Sequence, residues 1–353
     1  NGAAGDGGTA DILSSSAVVT RDLSEVSFPP FSEVTYWWTY ETPAGRWVET
    51  EKQSFRYLDN RYTWRTSSKD QIHANWIVGE PRLAAQVLET AEATLKEINA
   101  ALQAPTDTDV ELYIYPSEAD LVSALQLAGF RSVSGAAYPD LGVVLVAVPP
   151  NDAALVAIQQ GIPHELTHKA IYDLLGAHGY ASLPSWLDEG LATYFEARPD
   201  PVYAQTLKAA VAENDQIPLN ELCAPFPEAP DRNRLAYAQS GSVVRYLRQQ
   251  YGWSKIRELL ATYADGRACN AGIQATLGLD LAQLERDWRV WLDQETLPAT
   301  SSSHWAGVRV LLRDIGPWLV LLTPLLFAPV VVLASGQRRK NNTPQKVSAT
   351  RQK

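Results

Sequence analysis

The chain has 353 residues, a formal net charge of −10 and two cysteines. Its length exceeds that of one average domain, so we expect a catalytic-sized unit and a smaller one. The acidic balance argues against a nucleic-acid partner, and two cysteines without CxxC spacing exclude a cysteine-rich zinc site and a thioredoxin-type redox centre.

The N-terminal part of the chain predicts a leader and a small β domain. The sequence contains no methionine, even at position 1, which indicates a processed or trimmed chain from which a signal peptide could have been removed. Residues 1–16 are rich in Gly, Ala and Ser and are typical of a disordered leader. From 17 to 77, short aromatic and β-branched runs predict an antiparallel β-sandwich-like domain. Its aromatic residues are expected in a core, with a carbohydrate or protein contact as the alternative.

Residues 78–297 predict an α+β domain, mixed in its first part and helical in its second. The apolar spacing predicts a helix at 81–104 and a strand at 110–115. A helix capped by Ser117 and an apolar strand follow. This helix is predicted at 117–128 and this strand at 143–148. The later part of the chain is predicted to be helical, with a helix ending near Gly176 and further helices at 184–197, 201–214, 235–251, 253–264 and 281–294.

The segment HELTH, residues 164–168, carries two histidines at helical spacing. Positions i and i+4 share one face of a helix, so the imidazoles of His164 and His168 can reach one ion. Neutral imidazole is a good zinc ligand, and Glu165 lies where a general base can take a proton from water without being a ligand. Pro163 predicts a first-turn position or a kink. The alternative is that both histidines are surface or capping residues.

A second segment, PSWLDEGLATYFE at 184–196, begins a new helix with Glu189 near its first turn. A carboxylate there can complete three protein ligands and leave a fourth position for water, which is the open coordination of a zinc hydrolase. Glu196 lies two turns further along the same face and can accept the second ring N–H of a zinc-bound histidine. We therefore expect one Zn²⁺ per chain, bound by His164, His168 and Glu189.

Together, the two segments resemble the motifs of the gluzincin, or thermolysin-like, zinc metallopeptidases. The chain is most similar to the bacterial peptidase MA-like proteins, over about 73–295, and this includes the segment AYAQSGSVVRY at 236–246. The resemblance implies a thermolysin-like catalytic domain with His164, His168 and Glu189 as ligands and Glu165 as base. It also implies hydrolysis of peptide bonds in a peptide or protein substrate by zinc-activated water.

Related enzymes add a Tyr or His that stabilises the oxyanion. Tyr237 is the first candidate here and Tyr246 the second, with packing roles as the alternative. Two features depart from the family. Aminopeptidases of this kind carry a GAMEN-type signature that binds the substrate's N-terminus. This chain has only SGAAY at 134–138 in its place, so the resemblance does not imply aminopeptidase activity. Thr193 replaces the Asp that thermolysin-like enzymes carry four residues after the glutamate ligand, which leaves Glu196 as the partner of a histidine.

The C-terminal part of the chain predicts a membrane anchor. Residues 315–334 are apolar and free of charge, with the length of a membrane-spanning helix; a buried core helix is the alternative. A basic tail at 335–353 follows, so the positive-inside bias places the tail in the cytoplasm and the catalytic domain outside. Residues 298–314 would form a stalk. An extracellular location favours a disulfide between Cys223 and Cys269.

Two other functions use the same residues. A gluzincin-like fold can keep its metal and serve as an inactive binding or adhesion module. A zinc hydrolase can also act on a bond other than an amide. The strand 143–148 could pair with an extended substrate as a sheet edge, or could be an ordinary core strand.

Overall fold

The computed structural model describes residues 11–13, 16–19, 30–105, 108–125 and 134–296. Its strands are β1 (Asp11–Leu13), β2 (Ser16–Val18), β3 (Glu33–Tyr36), β4 (Thr39–Glu41), β5 (Trp47–Glu49), β6 (Gln53–Arg56), β7 (Arg65–Lys69), β8 (Ile72–Trp76), β9 (Val110–Tyr115), β10 (Gly135–Tyr138) and β11 (Val143–Ala147). Five of them form one sheet in the order β10–β11–β9–β8–β7. The strands β8, β9 and β11 are parallel, and β7 and β10 pair antiparallel at the two edges.

The described helices are α1 (Pro81–Leu102), α2 (Glu118–Leu125), α3 (Ala154–Tyr180), α4 (Ser185–Phe195), α5 (Pro201–Glu213), α6 (Pro230–Ala264), α7 (Cys269–Leu277) and α8 (Leu281–Thr296). Two of them contain a break, α3 at Gly176 and α6 at Gly252. The predicted helix end near Gly176 coincides with the first break. The two helices predicted at 235–251 and 253–264 are the two arms of α6.

The apolar run of β11 is explained by burial on both faces of the sheet. Side chains alternate along a strand. Val144 and Val146 therefore join the core under α1 and α3, whereas Val143 and Leu145 join the core on the α2 side. β11 is hydrogen-bonded to strands on both sides, so of the two alternatives it is the ordinary core strand and not an edge available to substrate. The edge beside it is β10.

The helical second part of the chain has its own core, which includes α4, α6 and α8. Fully buried members include Trp186 of α4, Val243 of α6 and Trp288 of α8. The mixed first part and helical second part thus agree with the gluzincin-like pattern. This arrangement places α3 between the sheet and the helical core.

The predicted β-sandwich at 17–77 is wrong. β7 and β8 belong to the central sheet, with β8 parallel to β9. The other strands of the described N-terminal region form separate two-stranded pairs, β1–β2, β3–β6 and β4–β5. The aromatic residues on these pairs are not in a sandwich core, since Trp47 is 71% exposed and Phe55 is 52% exposed. The remainder of the predicted leader lies outside the described residues.

The predicted membrane anchor is also corrected. Within the part of the chain that the structure describes, no helix combines the length and apolarity needed to cross a bilayer. The predicted stalk, membrane helix and basic tail (298–314, 315–334 and 335–353) lie outside the described residues. The single-pass topology, with its extracellular catalytic domain and cytoplasmic C-terminus, is therefore not retained.

Candidate metal centre

Helices α3 and α4 bring together His164, His168 and Glu189. One ligand atom from each lies within 4.8 Å of the others. Glu189 Oε2 is 3.3 Å from Nε2 of His164 and 3.5 Å from Nε2 of His168. This oxygen is buried and makes no hydrogen bond of good geometry to any described residue. Two imidazole nitrogens and an unsatisfied carboxylate oxygen around one point fit a zinc ion with three protein ligands.

The outer nitrogens of both histidines contact carboxylates. Nδ1 of His164 is 3.3 Å from Glu196 Oε1, and Nδ1 of His168 is 2.9 Å from Asp188 Oδ1. A carboxylate at Nδ1 holds the proton there and leaves Nε2 with its lone pair directed at a metal. The sequence analysis singled out Glu196 and missed Asp188. The only sequence signal for Asp188 is that it directly precedes the candidate ligand Glu189.

The pKa values of the three candidate ligands depend both on burial and on the charges of the neighbouring side chains. Burial lowers the pKa of His164, but the contacts with Glu189 and Glu196 outweigh burial and raise it to about 9. Burial likewise lowers the pKa of His168, and Asp188 and Glu189 raise it well above its usual value. Burial raises the pKa of Glu189, yet the two histidines hold it well below its usual range. In the absence of metal, the carboxylates therefore favour positive charge on the imidazoles, where a cation would bind.

Glu165 lies inside this centre, 8% exposed. Its carboxyl group packs against Gly135 on the edge strand β10, where a Cβ would lie 2.4 Å from Glu165 Oε1. Burial raises the pKa of Glu165, opposed by the neighbouring histidines. The absence of a side chain at position 135 is therefore what leaves room for the candidate base.

Pro163 lies well inside α3, so the expected first-turn position is wrong. Because proline has no N–H, the carbonyl of Gln159 loses its helical partner. That carbonyl instead accepts from the backbone N–H of Arg198, at 3.3 Å. Arg198 lies just after Glu196, so the proline provides a tie between α3 and the chain segment that carries this carboxylate.

Tyr237 of α6 lies next to the candidate metal ligands. Its ring centroid is 6.0 Å from that of His164. Tyr203 stacks on it at 6.3 Å, and Phe226 packs edge-on at 5.1 Å. Tyr246, the second candidate, packs instead against Tyr251 and Trp291. The structure therefore brings Tyr237 to the centre and gives Tyr246 a packing environment.

The departure at Thr193 has a structural reason. A Cβ at Gly241 of α6 would lie 2.9 Å from Thr193 Cγ2, so Thr193 occupies a close contact between α4 and α6. Its buried hydroxyl makes no hydrogen bond to any described residue, and Glu196 contacts His164 instead.

The two cysteines form a disulfide in the structure, with Cα atoms 6.1 Å apart. Cys223 ends a 3-10 segment, Glu221–Cys223, and Cys269 begins α7. The bond therefore fixes the chain that leads to Phe226, the residue packed against Tyr237.

Comparisons with known proteins identify the family of the chain. Residues 90–294 match the family model of the Peptidase MA superfamily. Similar solved structures include a two-domain M1 zinc metallopeptidase mutant bound to L-arginine, with 16% identity over 74% of this chain and 60% of that one and a TM-score of 0.39. They also include the M1 zinc metallopeptidase of Deinococcus radiodurans, with 18% identity over 76% and 62% of the chains and a TM-score of 0.37.

A mutant of the Deinococcus radiodurans enzyme bound to a Tyr-Ser-Ala substrate has 17% identity over 76% and 63% of the chains and a TM-score of 0.38. The chain thus spans about 60% of the length of these enzymes. A search of curated proteins finds no match. The family match extends from α1 to α8 and includes both segments that form the candidate metal centre, and on this basis the chain belongs to the Peptidase MA superfamily.

Proposed function

We propose that this protein is a zinc-dependent peptidase that hydrolyses peptide bonds with Glu165 as general base. The observation that carries the proposal is the convergence of two Nε2 atoms and the unsatisfied Oε2 of Glu189 on one point, with the buried carboxyl of Glu165 beside them. Three protein ligands and a separate base are the composition of a hydrolytic zinc site.

His164, His168 and Glu189 would hold the ion. Zinc bound there would supply a Lewis acid that polarises a substrate carbonyl and acidifies water. Glu196 and Asp188 keep the proton on Nδ1 of each histidine, so that both Nε2 atoms stay available as ligands.

Glu165 would accept the proton from the attacking water. Burial raises its pKa, which makes its carboxylate a stronger base than an exposed glutamate. The same group can then pass the proton to the leaving amine, because it lies in the centre without being one of the three converging ligands.

Tyr237 would donate a hydrogen bond to the oxygen of the tetrahedral intermediate. Burial raises the pKa of its hydroxyl, so the donor stays protonated at neutral pH. Tyr203 and Phe226 fix the ring by stacking and edge contact. A donor held in advance where negative charge develops is worth about 3–4 kcal/mol of barrier lowering in acyl transfer.

The decisive experiment uses the full chain loaded with zinc and Glu165→Gln as the test variant. Zinc per chain is measured, and a mixed peptide library is digested with and without a chelator. Glu165→Gln should retain zinc and lose at least about 100-fold in kcat, in line with loss of a general base. Glu213→Gln, at an exposed position at the end of α5, is the matched control and should behave as wild type.

Three outcomes count against the proposal. Equal zinc binding by wild type and Glu165→Gln without cleavage by either would favour an inactive binding module. Cleavage that survives Glu165→Gln would remove Glu165 from the reaction. Failure of the wild type to bind zinc would remove the metal centre itself.

A further inference from the structure

Tyr180, the last residue of α3, contacts the carboxylate that holds His168. Its hydroxyl oxygen is 3.1 Å from Asp188 Oδ2 and 3.3 Å from His168 Nδ1. Asp188 Oδ1 is 2.9 Å from the same ring nitrogen. With Nε2 facing the metal position, Nδ1 donates to Oδ1 while the tyrosine donates to Oδ2. Each oxygen of Asp188 then has its own donor, which fixes the plane of the carboxylate and, through it, the ring of His168.

The chain reaches this position only because α3 is broken. His168 and Tyr180 are twelve residues apart, which in an unbroken helix is about 18 Å along the axis. The break at Gly176, with φ 70° and ψ 170°, returns the chain so that the Tyr180 hydroxyl meets the His168 ring. This backbone conformation is essentially restricted to glycine, because a Cβ would clash with its own backbone. A Cβ at Gly176 would otherwise have open space, with no atom within 4 Å apart from those of the adjacent backbone and chain neighbours.

The two histidines are therefore held differently. His164 has one carboxylate, Glu196, at 3.3 Å from Nδ1. His168 has a shorter contact with Asp188, and Asp188 is itself held by Tyr180. The ring of Tyr180 packs edge-on against Tyr172 at 5.7 Å, which limits the rotation of the side chain.

We propose that Tyr180 is a positioning residue that raises zinc affinity by holding Asp188 on His168, and that the break at Gly176 is what places it there. The proposal rests on the proposed zinc site, but not on peptide hydrolysis. Partners of this kind change metal affinity by about 10- to 100-fold, because they orient the ligand before the ion arrives.

The test measures the zinc dissociation constant of the full chain by competition with a chromophoric chelator, at fixed pH and without substrate. Tyr180→Phe removes only the hydroxyl and should weaken zinc binding about 10-fold. Tyr172→Phe removes a hydroxyl from the neighbouring ring and should leave the dissociation constant unchanged. The unfolding temperature of the metal-free protein is recorded in parallel and should be similar for both variants.

A double-mutant cycle separates positioning from packing. In an Asp188→Ala background, Tyr180→Phe should no longer change zinc affinity, because the tyrosine acts through Asp188. An equal loss in both backgrounds would show that Tyr180 acts by another route and would overturn the proposal, as would unchanged zinc affinity in Tyr180→Phe alone.

The role of the break at Gly176 is tested by a matched pair of glycine substitutions. Gly252 in α6 has nearly the same conformation, φ 75° and ψ 172°, also with open space around it. Gly176→Ala and Gly252→Ala should destabilise the protein to a similar extent, but only Gly176→Ala should weaken zinc binding. This pair also decides the case if Tyr180→Phe folds poorly, and equal zinc affinities in the two variants would contradict the proposal. Absence of peptidase activity with these affinities intact would count against the proposed function alone.

Discussion

At the scale of single residues, the candidate base depends on a neighbour without a side chain. Gly135→Ala would place a Cβ 2.4 Å from Glu165 Oε1 and 2.9 Å from its Cδ, so the carboxyl group must move. We expect kcat/KM to fall about 100-fold, since small misplacements of a catalytic group have effects of this size. The zinc content should stay at the wild-type value, because the atoms nearest to the added Cβ all belong to Glu165 and not to the three candidate ligands.

The matched control is Ala137→Ser, two residues along the same strand and half-buried. It should keep activity within a few-fold of wild type. Full activity in Gly135→Ala would show that Glu165 does not need its present position.

The sequence predicts the proximity of the two candidate histidine ligands, but not the contacts of the side chains that hold His168. His164 and His168 are four residues apart on one helix, so their proximity follows from helix geometry alone. Asp188 is twenty residues from His168 and Tyr180 is twelve. Their contacts depend on the break at Gly176 and on how α4 packs against α3. No periodic signal encodes such contacts, so they could not be read from the sequence.

At the scale of helices, α4 and α6 approach closely beside the candidate ligand Glu189. A Cβ at Gly190 would lie 2.7 Å from the backbone oxygen of Ser240 and 2.9 Å from Val244 Cγ2. Backbone cannot yield as a flexible side chain can. Gly190→Ala should therefore push α4 away from α6 and displace Glu189.

We expect Gly190→Ala to cost about 1–3 kcal/mol of stability by overpacking, and to weaken zinc binding at least about 10-fold. The measurements are urea unfolding of the metal-free protein and zinc competition. Gly272→Ala is the control, because it also meets a close neighbour, Tyr263 at 2.2 Å, in the contact of α7 with α6. It should lose stability without a change in zinc affinity. Equal zinc affinities in both variants would show that the spacing of α4 and α6 does not set the position of Glu189.

Elements defined by local spacing were predicted well, and elements defined by distant pairing were not. The helix predicted at 81–104 is observed as Pro81–Leu102, and the strand at 110–115 is observed with the same bounds. In contrast, β8 pairs in parallel with β9, on the far side of α1 in sequence. Its residues alternate like those of an antiparallel domain, so the sequence alone assigned them to a sandwich. The edge strand β10 is Gly-Ala-Ala-Tyr, too short and too small in its side chains to be predicted as a strand.

At the scale of the whole molecule, the N-terminal region covers the face of the sheet opposite α1 and α3. Phe31 stacks on Tyr113 of β9 at 3.6 Å, and Trp64 packs edge-on against the same ring at 5.1 Å. Asp59, 9% exposed, accepts a hydrogen bond from Tyr115 of β9 at 3.0 Å. These contacts explain the aromatic residues that the sequence analysis placed in the core of a separate domain. Part of that aromatic set covers the central sheet instead.

Asp59 is the charged centre of this contact. Arg61 donates to both of its oxygens, at 2.8 Å from Nε and 2.7 Å from a terminal nitrogen. Burial raises the pKa of Asp59, but the hydrogen bonds from Arg61 and Tyr115 outweigh burial and hold it below its usual value of 3.8. A carboxyl group with a lowered folded-state pKa contributes stability above its unfolded pKa. That contribution is lost as the pH falls below about 3.8 and through the folded-state pKa.

Asp59→Asn should therefore destabilise the protein at pH 7 by about 1.5–3 kcal/mol, the range for hydrogen bonds to a charged group. The difference from wild type should shrink as the pH falls below about 4, because protonation neutralises the wild-type side chain as well. Urea unfolding in the presence of a chelator, at several pH values between 7 and 3, measures both effects without interference from zinc release.

The exposed Asp152→Asn is the control and should follow the wild-type curve. A constant difference between Asp59→Asn and wild type across this range would show that the charge of Asp59 does not hold the N-terminal region on the sheet. In that case the stacking of Phe31 on Tyr113 and the edge-on packing of Trp64 against it would have to supply the attachment.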